Sequence, residues 1–127
     1  MRIEDYDTIH DTKDPKQIAR ILHRRFGNRY NSFMLSHGAE KHPAINLLVN
    51  GDLAYLCYWP NEEHAGFNSI GGREGLNPDG QTAFFLSEHT LHEMPNVYVI
   101  SFSDALTVAQ EFAVSRGLPK SIQWEEL

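Results

Sequence analysis

The chain has 127 residues, of which 41% are apolar, and this is enough for one self-sufficient domain over residues 1–127. Its formal net charge of −6 disfavours direct binding to phosphate backbones, and no apolar run reaches the roughly 18 residues of a membrane span. The charged first ten residues are unlike a secretory signal, and the single cysteine allows no internal disulfide, so we expect a cytoplasmic protein.

The first clear element is a helix that follows a short strand over residues 2–6. Asp14 suits the N-cap and Pro15 the first helical position. Apolar residues then recur at helical spacing up to a glycine that can end the helix: Ile18, Ile21, Leu22, Phe26 and Gly27. The pattern predicts a helix with one face buried.

Three strands are predicted next, over residues 31–37, 44–49 and 53–59. Asn50-Gly51 is a strong hairpin signal between the second and the third, because both residue types tolerate a positive φ. The third strand is apolar on both faces. It is therefore either a central strand covered on both sides or one whose second face meets a partner.

The second half begins with an irregular stretch over residues 60–80, and long loops in compact domains are often functional. Strands over 81–87 and 96–102, separated by a loop over 88–95, lead to a helix capped by Ser103 and ended by Gly117 and Pro119. A last short strand covers 121–124. This order predicts an α+β domain: an antiparallel meandering sheet of about five to seven strands with two main helices packed on one face.

Motifs for catalysis are missing from the sequence. It contains no H-E-x-x-H, no G-x-G-x-x-G and no G-x-S-x-G, and no histidine carries the H-x-E spacing of a zinc deaminase. Cys57 lies in the most apolar strand and should be a buried, inert thiol. The carboxylate pairs Glu62-Glu63 and Glu125-Glu126 fit solvated charge or partner contacts. We therefore predict no catalytic residue, no metal and no cofactor.

The end of the chain carries the most specific motifs. Ser103-Asp104-Ala105 opens a helix that includes residues 109–112, and residues 116–119 and 122–126 supply a proline and a closing tryptophan with acidic neighbours. In these motifs the chain resembles the first immunity-protein family of bacterial polymorphic toxin systems. The strand pair and the Gly66-Phe67-Asn68-Ser69 segment are similar too. The resemblance runs from Phe33 onward and leaves residues 1–30 without a counterpart.

Members of that family guard against nucleic-acid deaminase toxins, so the resemblance implies an α+β fold and a role without catalysis. The implied partner is a cognate toxin domain, a basic cytidine deaminase whose active site the immunity protein occludes. The acidic charge and the lack of a long apolar run lead us to expect no direct contact with nucleic acid or membrane. The resemblance provides no list of contact residues. Pro119 and Trp124 are expected to be structural and to close the last strand on the sheet.

An acidic surface can be steered to a basic enzyme, and aromatic anchors can make the complex tight. The irregular stretch and the strand end before it offer both kinds of group, and they form the predicted toxin-binding surface: Tyr58, Trp59, Glu62, Glu63, His64, Phe67, Asn68, Arg73 and Glu74. The competing interpretation is a plain surface loop over a core formed by Tyr58 and Trp59.

Two other functions stay open at this point. One is a small ligand- or metal-binding domain or enzyme with His64, His89 and His92 at a pocket. The other is a structural or adaptor subunit of a larger complex.

Overall fold

The structure is a computed structural model that describes residues 1–71 and 75–127. The elements follow in chain order: β1 (Arg2–Glu4), β2 (Ile9–Asp11), α1 (Pro15–Leu22), β3 (Tyr30–His37), β4 (Glu40–Asn50), β5 (Leu53–Trp59), β6 (Phe67–Ile70), β7 (Gln81–Ser87), β8 (Thr90–Pro95), a 3₁₀ turn (Asn96–Tyr98), β9 (Ile100–Ser101), α2 (Phe102–Val114) and β10 (Gln123–Glu126). The architecture is α+β, as predicted. Neither helix described has the length and hydropathy that crossing a bilayer would take.

The main sheet is antiparallel, in the order β10-β6-β5-β4-β3-β1-β2, and β9 pairs with β5 on the same edge as β6. The predicted hairpin between β4 and β5 is confirmed, but its turn lies one residue later than predicted. Asn50 pairs with Leu53, and so Gly51 and Asp52 form the two-residue connection. Gly51 has a φ of +61°, which a glycine adopts without a steric cost.

Both helices pack on one face of the sheet, as predicted. Asp14 caps α1 by accepting a hydrogen bond from the Lys16 N–H at 2.9 Å, and Pro15 begins the helix. The helix ends at Leu22, so Phe26 lies beyond it. The cap of α2 is Ser101 and not the predicted Ser103, because the Ser101 hydroxyl accepts from the Asp104 N–H at 3.0 Å.

A hairpin of β7 and β8 covers the other face of the sheet. Residues 88–95, predicted as a loop, supply β8, whose alternation is hidden because most of its side chains are exposed. Together the hairpin and the sheet enclose a second core: Leu48, Tyr55, Cys57, Phe84, Met94 and Val99. Of the two alternatives that the sequence left open for the strand over residues 53–59, the structure shows the first, cover on both sides.

Three further elements differ from the prediction. β6 lies within residues 60–80, which were predicted to be irregular, and β2 was not predicted. The predicted strand over 96–102 is a 3₁₀ turn followed by the two-residue β9. These pieces have two to four residues each, too few to show a period.

Candidate functional site

The predicted toxin-binding surface lies where the chain leaves β5, at the end of the sheet formed by β6 and β10. β10 is the outermost strand of the order, and Trp124 and Glu126 in it stand opposite Ser69 and Phe67 of β6. Such a strand presents one row of backbone groups that no strand of the described chain pairs. This edge is therefore where the sheet can be extended by a partner.

Trp124 fixes β10 against the body of the protein. Its indole N–H donates to the Pro119 carbonyl at 2.7 Å, and its ring lies 6.2 Å from the Tyr58 ring. The Tyr58 hydroxyl donates to the Arg116 carbonyl at 3.1 Å, which fixes the segment before β10 as well. The predicted structural role of Pro119 and Trp124 is confirmed.

His64 joins the turn after β5 to the last strand. Its Nδ1 accepts from the Gly66 N–H at 2.8 Å, so Nε2 carries the proton that it donates to a Glu126 carboxylate oxygen, also at 2.8 Å. The imidazole stacks on Phe67, with ring centroids 4.9 Å apart and planes 9° from parallel. These contacts hold the turn after β5 against β10.

Four exposed carboxylates lie on this frame, two on the turn after β5 and two on β10, and we call them the acidic edge: Glu62, Glu63, Glu125 and Glu126. The Asn61 side chain accepts from the Glu63 and His64 N–H groups at 3.1 and 3.0 Å, which shapes the turn that presents the first pair. In the part of the chain that the structure describes, none of the four pairs with a lysine or an arginine, and Glu126 accepts the hydrogen bond from His64.

Tyr98 borders the acidic edge. Its hydroxyl donates to a Glu125 carboxylate oxygen at 3.2 Å. Desolvation and the neighbouring Glu125 charge raise the pKa of Tyr98, which keeps this hydroxyl a donor. The sequence offered no sign that Tyr98 would lie here. Glu125 and Glu126 were noted as possible partner contacts but not placed in the predicted site.

Burial removes two predicted residues from the surface. Tyr58 is 5% exposed and belongs to the core between the two helices and the main sheet. Asn68 is 7% exposed and hydrogen-bonded to the Tyr55 hydroxyl. Trp59 is half-buried behind Gly66, where a Cβ atom would lie 2.8 Å from the indole nitrogen. Arg73 and Glu74 lie outside the described residues. The accessible part of the prediction is therefore Glu62, Glu63, His64 and the half-buried Trp59 and Phe67.

The histidines of the alternative metal site are not brought together. His64 lies at the β10 end of the sheet, whereas His89 and His92 are exposed on the β7–β8 hairpin. Across residues 1–71 and 75–127, no group of three histidine, cysteine or acidic side chains could hold a metal ion.

Cys57 is buried beside Tyr55, and desolvation raises the pKa of its thiol. We expect iodoacetamide at neutral pH to alkylate it many-fold more slowly in the native protein than in urea, because burial blocks access to the thiol and disfavours its thiolate form. Mass spectrometry of timed samples measures both rates. Equal rates would contradict the packing described for β5.

This site offers charge, an open strand edge and half-buried aromatic rings, which together suit the binding of another protein. A scan against models of known protein families finds no match, and a search of curated proteins finds no significant one. The resemblance to immunity proteins therefore stays a prediction that the residues themselves carry.

Proposed function

We propose that this protein is an immunity protein that acts in the cytoplasm. It binds a cognate toxin, a basic nucleic-acid deaminase, and keeps substrate out of its active site. The observation that carries the proposal is the acidic edge: four exposed carboxylates on a turn and an outer strand, held in place by His64 and Trp124. The protein needs no catalytic residue and no contact with nucleic acid for this role.

Charge complementarity supports this partner. A deaminase that acts on DNA or RNA must attract a polyanion, so its substrate groove carries lysine and arginine. Carboxylates held on a rigid frame compete for the same groove. Long-range attraction raises the association rate to as much as about 10⁸ M⁻¹s⁻¹ at low salt.

Tight binding requires more than charge. Protection of the producing cell calls for nanomolar affinity, about −12 kcal/mol, and aromatic groups in a desolvated centre usually supply most of it. Phe67 and Tyr98 are partly exposed beside the carboxylates and can fill that role. The open side of β10 adds a row of backbone groups with which a strand of the toxin can pair.

The test compares two double variants that each remove two charges. Glu62→Gln with Glu63→Gln alters the acidic edge, and Asp11→Asn with Glu93→Gln alters exposed carboxylates on β2 and β8, away from this edge. We expect the first to bind the toxin about tenfold more weakly, chiefly through slower association, and with a smaller dependence on salt. The second should bind like the unmodified protein.

Two measurements separate the outcomes. Surface plasmon resonance with a catalytically inactive toxin from the neighbouring gene gives the rates, and co-expression with the active toxin gives growth rescue. Equal affinities of the two double variants would discard the site but not the function. If the unmodified protein neither bound that toxin nor rescued growth, the function itself would be wrong.

A further inference from the structure

A second feature of the surface is an open cavity of about 260 Å³, distant from the acidic edge in the strand order. Its walls are mostly aromatic, and they come from the loop after β1, the turn before β3, the strand β7 and the turn after it. The lining residues are Tyr6, Phe26, Gly27, Tyr30, Phe85 and Glu88. We call the four rings among them the aromatic cage.

The rings of the aromatic cage are locked together although they are far apart in sequence. Tyr6 and Phe26 have ring centroids 4.9 Å apart, and Tyr30 meets Phe85 edge to face at 4.7 Å and 78°. The Tyr6 hydroxyl donates to the Phe85 carbonyl at 2.9 Å. The Phe26 and Tyr30 backbones exchange two hydrogen bonds, of 2.7 and 3.0 Å, across the turn that includes Gly27. The walls are therefore preformed.

The charge at the rim is negative. Glu88 is exposed on the turn between β7 and β8, and its ion-pair contact with the exposed His89 is long, at 4.0 Å. Glu88 and Tyr6 line the same cavity, and desolvation together with the Glu88 and Asp5 charges raises the pKa of Tyr6. No described residue that lines the cavity is basic.

The arginines closest in sequence to Phe26 and Tyr30 are engaged elsewhere. Arg24 pairs with Asp5 and Asp7 at 3.1 and 3.0 Å. The Arg25 guanidinium lies 4.5 Å above the Phe102 ring. The Arg29 guanidinium lies against Gly51, within 4 Å of where a Cβ would stand. Because none of these arginines lines the cavity, the Glu88 carboxylate and the ring electrons stay available to a cation from outside.

We propose that the aromatic cage with Glu88 binds an alkylammonium ion. Aromatic faces attract cations through the ring quadrupole, and walls of several rings are the usual site for quaternary ammonium groups. A single carboxylate at the rim adds a full opposite charge. Drug-sized ligands occupy pockets of roughly 300–1,000 Å³, so this smaller cavity suits a trimethylammonium head and its first methylene groups. The inference is independent of the toxin proposal.

The test uses choline and its neutral isostere 3,3-dimethyl-1-butanol, in which carbon replaces the ammonium nitrogen. Calorimetric titration of the purified protein should show choline binding at least about fivefold more tightly, since the two differ in charge and hardly in shape. Equal affinities, or no binding of choline, would overturn the proposal.

A matched pair of variants locates the site. Glu88→Gln should weaken choline binding about fivefold and leave the neutral isostere unchanged, whereas Glu93→Gln, on the same hairpin but outside the cavity, should change neither. Tyr30→Leu keeps an apolar side chain and removes one ring, and it should weaken choline about threefold. Glu88 is exposed, so Glu88→Gln keeps the test decisive even if Tyr30→Leu fails to fold. An unchanged affinity in Glu88→Gln would place the cation elsewhere.

A third comparison distinguishes the source of the cation. A peptide that bears trimethyllysine should bind more tightly than choline if the natural ligand is a side chain of a protein. Equal or weaker binding indicates a free alkylammonium compound. Either result supports the proposal only if 3,3-dimethyl-1-butanol binds more weakly than choline. A peptide with norleucine in place of trimethyllysine serves as the uncharged control for the peptide.

Discussion

Replacing Phe112 with alanine is expected to lower the free energy of unfolding by about 4 kcal/mol. Phe112 is fully buried on α2, and its ring lies 4.6 Å from the His37 ring and 6.2 Å from that of Tyr58. Truncation removes these contacts and leaves a cavity between helix and sheet that rigid neighbours fill only in part. Because domains are stable by only about 5–15 kcal/mol, the loss is a large share of the total.

Urea denaturation followed by circular dichroism measures this loss. The matched control is Val114→Ala, two residues further along the same helix, where the side chain is 79% exposed. We expect that control to change the stability by no more than about 0.5 kcal/mol. If both substitutions cost the same, α2 does not turn the Phe112 face towards the sheet.

Replacing Gly71 with alanine is expected to cost about 3 kcal/mol, although it adds a single methyl group. The new Cβ would stand 1.7 Å from the Val99 carbonyl oxygen and 2.7 Å from its carbon. Val99 is fully buried, and the Gly71 N–H donates to the Val97 carbonyl at 2.7 Å, so both backbones must move apart. Nothing in the sequence indicates this close approach, because Gly71 lies in the stretch over residues 60–80 that was predicted to be irregular.

Gly117→Ala is the control for this second substitution. A Cβ at Gly117 would meet no atom within 4 Å, and its φ lies outside the left-handed region. The same change should therefore be neutral there, or stabilising by as much as about 1 kcal/mol, because alanine restricts the unfolded chain. Thermal unfolding measures the melting temperatures of both variants. Equal melting temperatures would contradict the close approach of Gly71 to Val99.

The amino-acid sequence alone determined the frame of the fold. The strands β3, β4, β5 and β7 carry period-two alternation or unbroken apolar runs, and both helices carry a buried stripe. Asp14 and Pro15 fixed the start of α1 because a helix cap is a local interaction. Both faces of β5 are apolar, which allowed either cover on both sides or a partner on the second face, and only the tertiary structure decided between them.

Tertiary structure decided which charges and rings stand together. β10 brings Glu126 to His64, next to Glu62 and Glu63 in the chain, only because it pairs with β6, a strand too short to leave a pattern. Burial of Tyr58 follows from its contacts with α2 and Trp124, which no local signal encodes. The aromatic cage draws its rings from three separate segments of the chain. Secondary structure depends mainly on residues that are close in sequence. A site depends on the pairing of distant segments, and the register of that pairing depends on every strand between them.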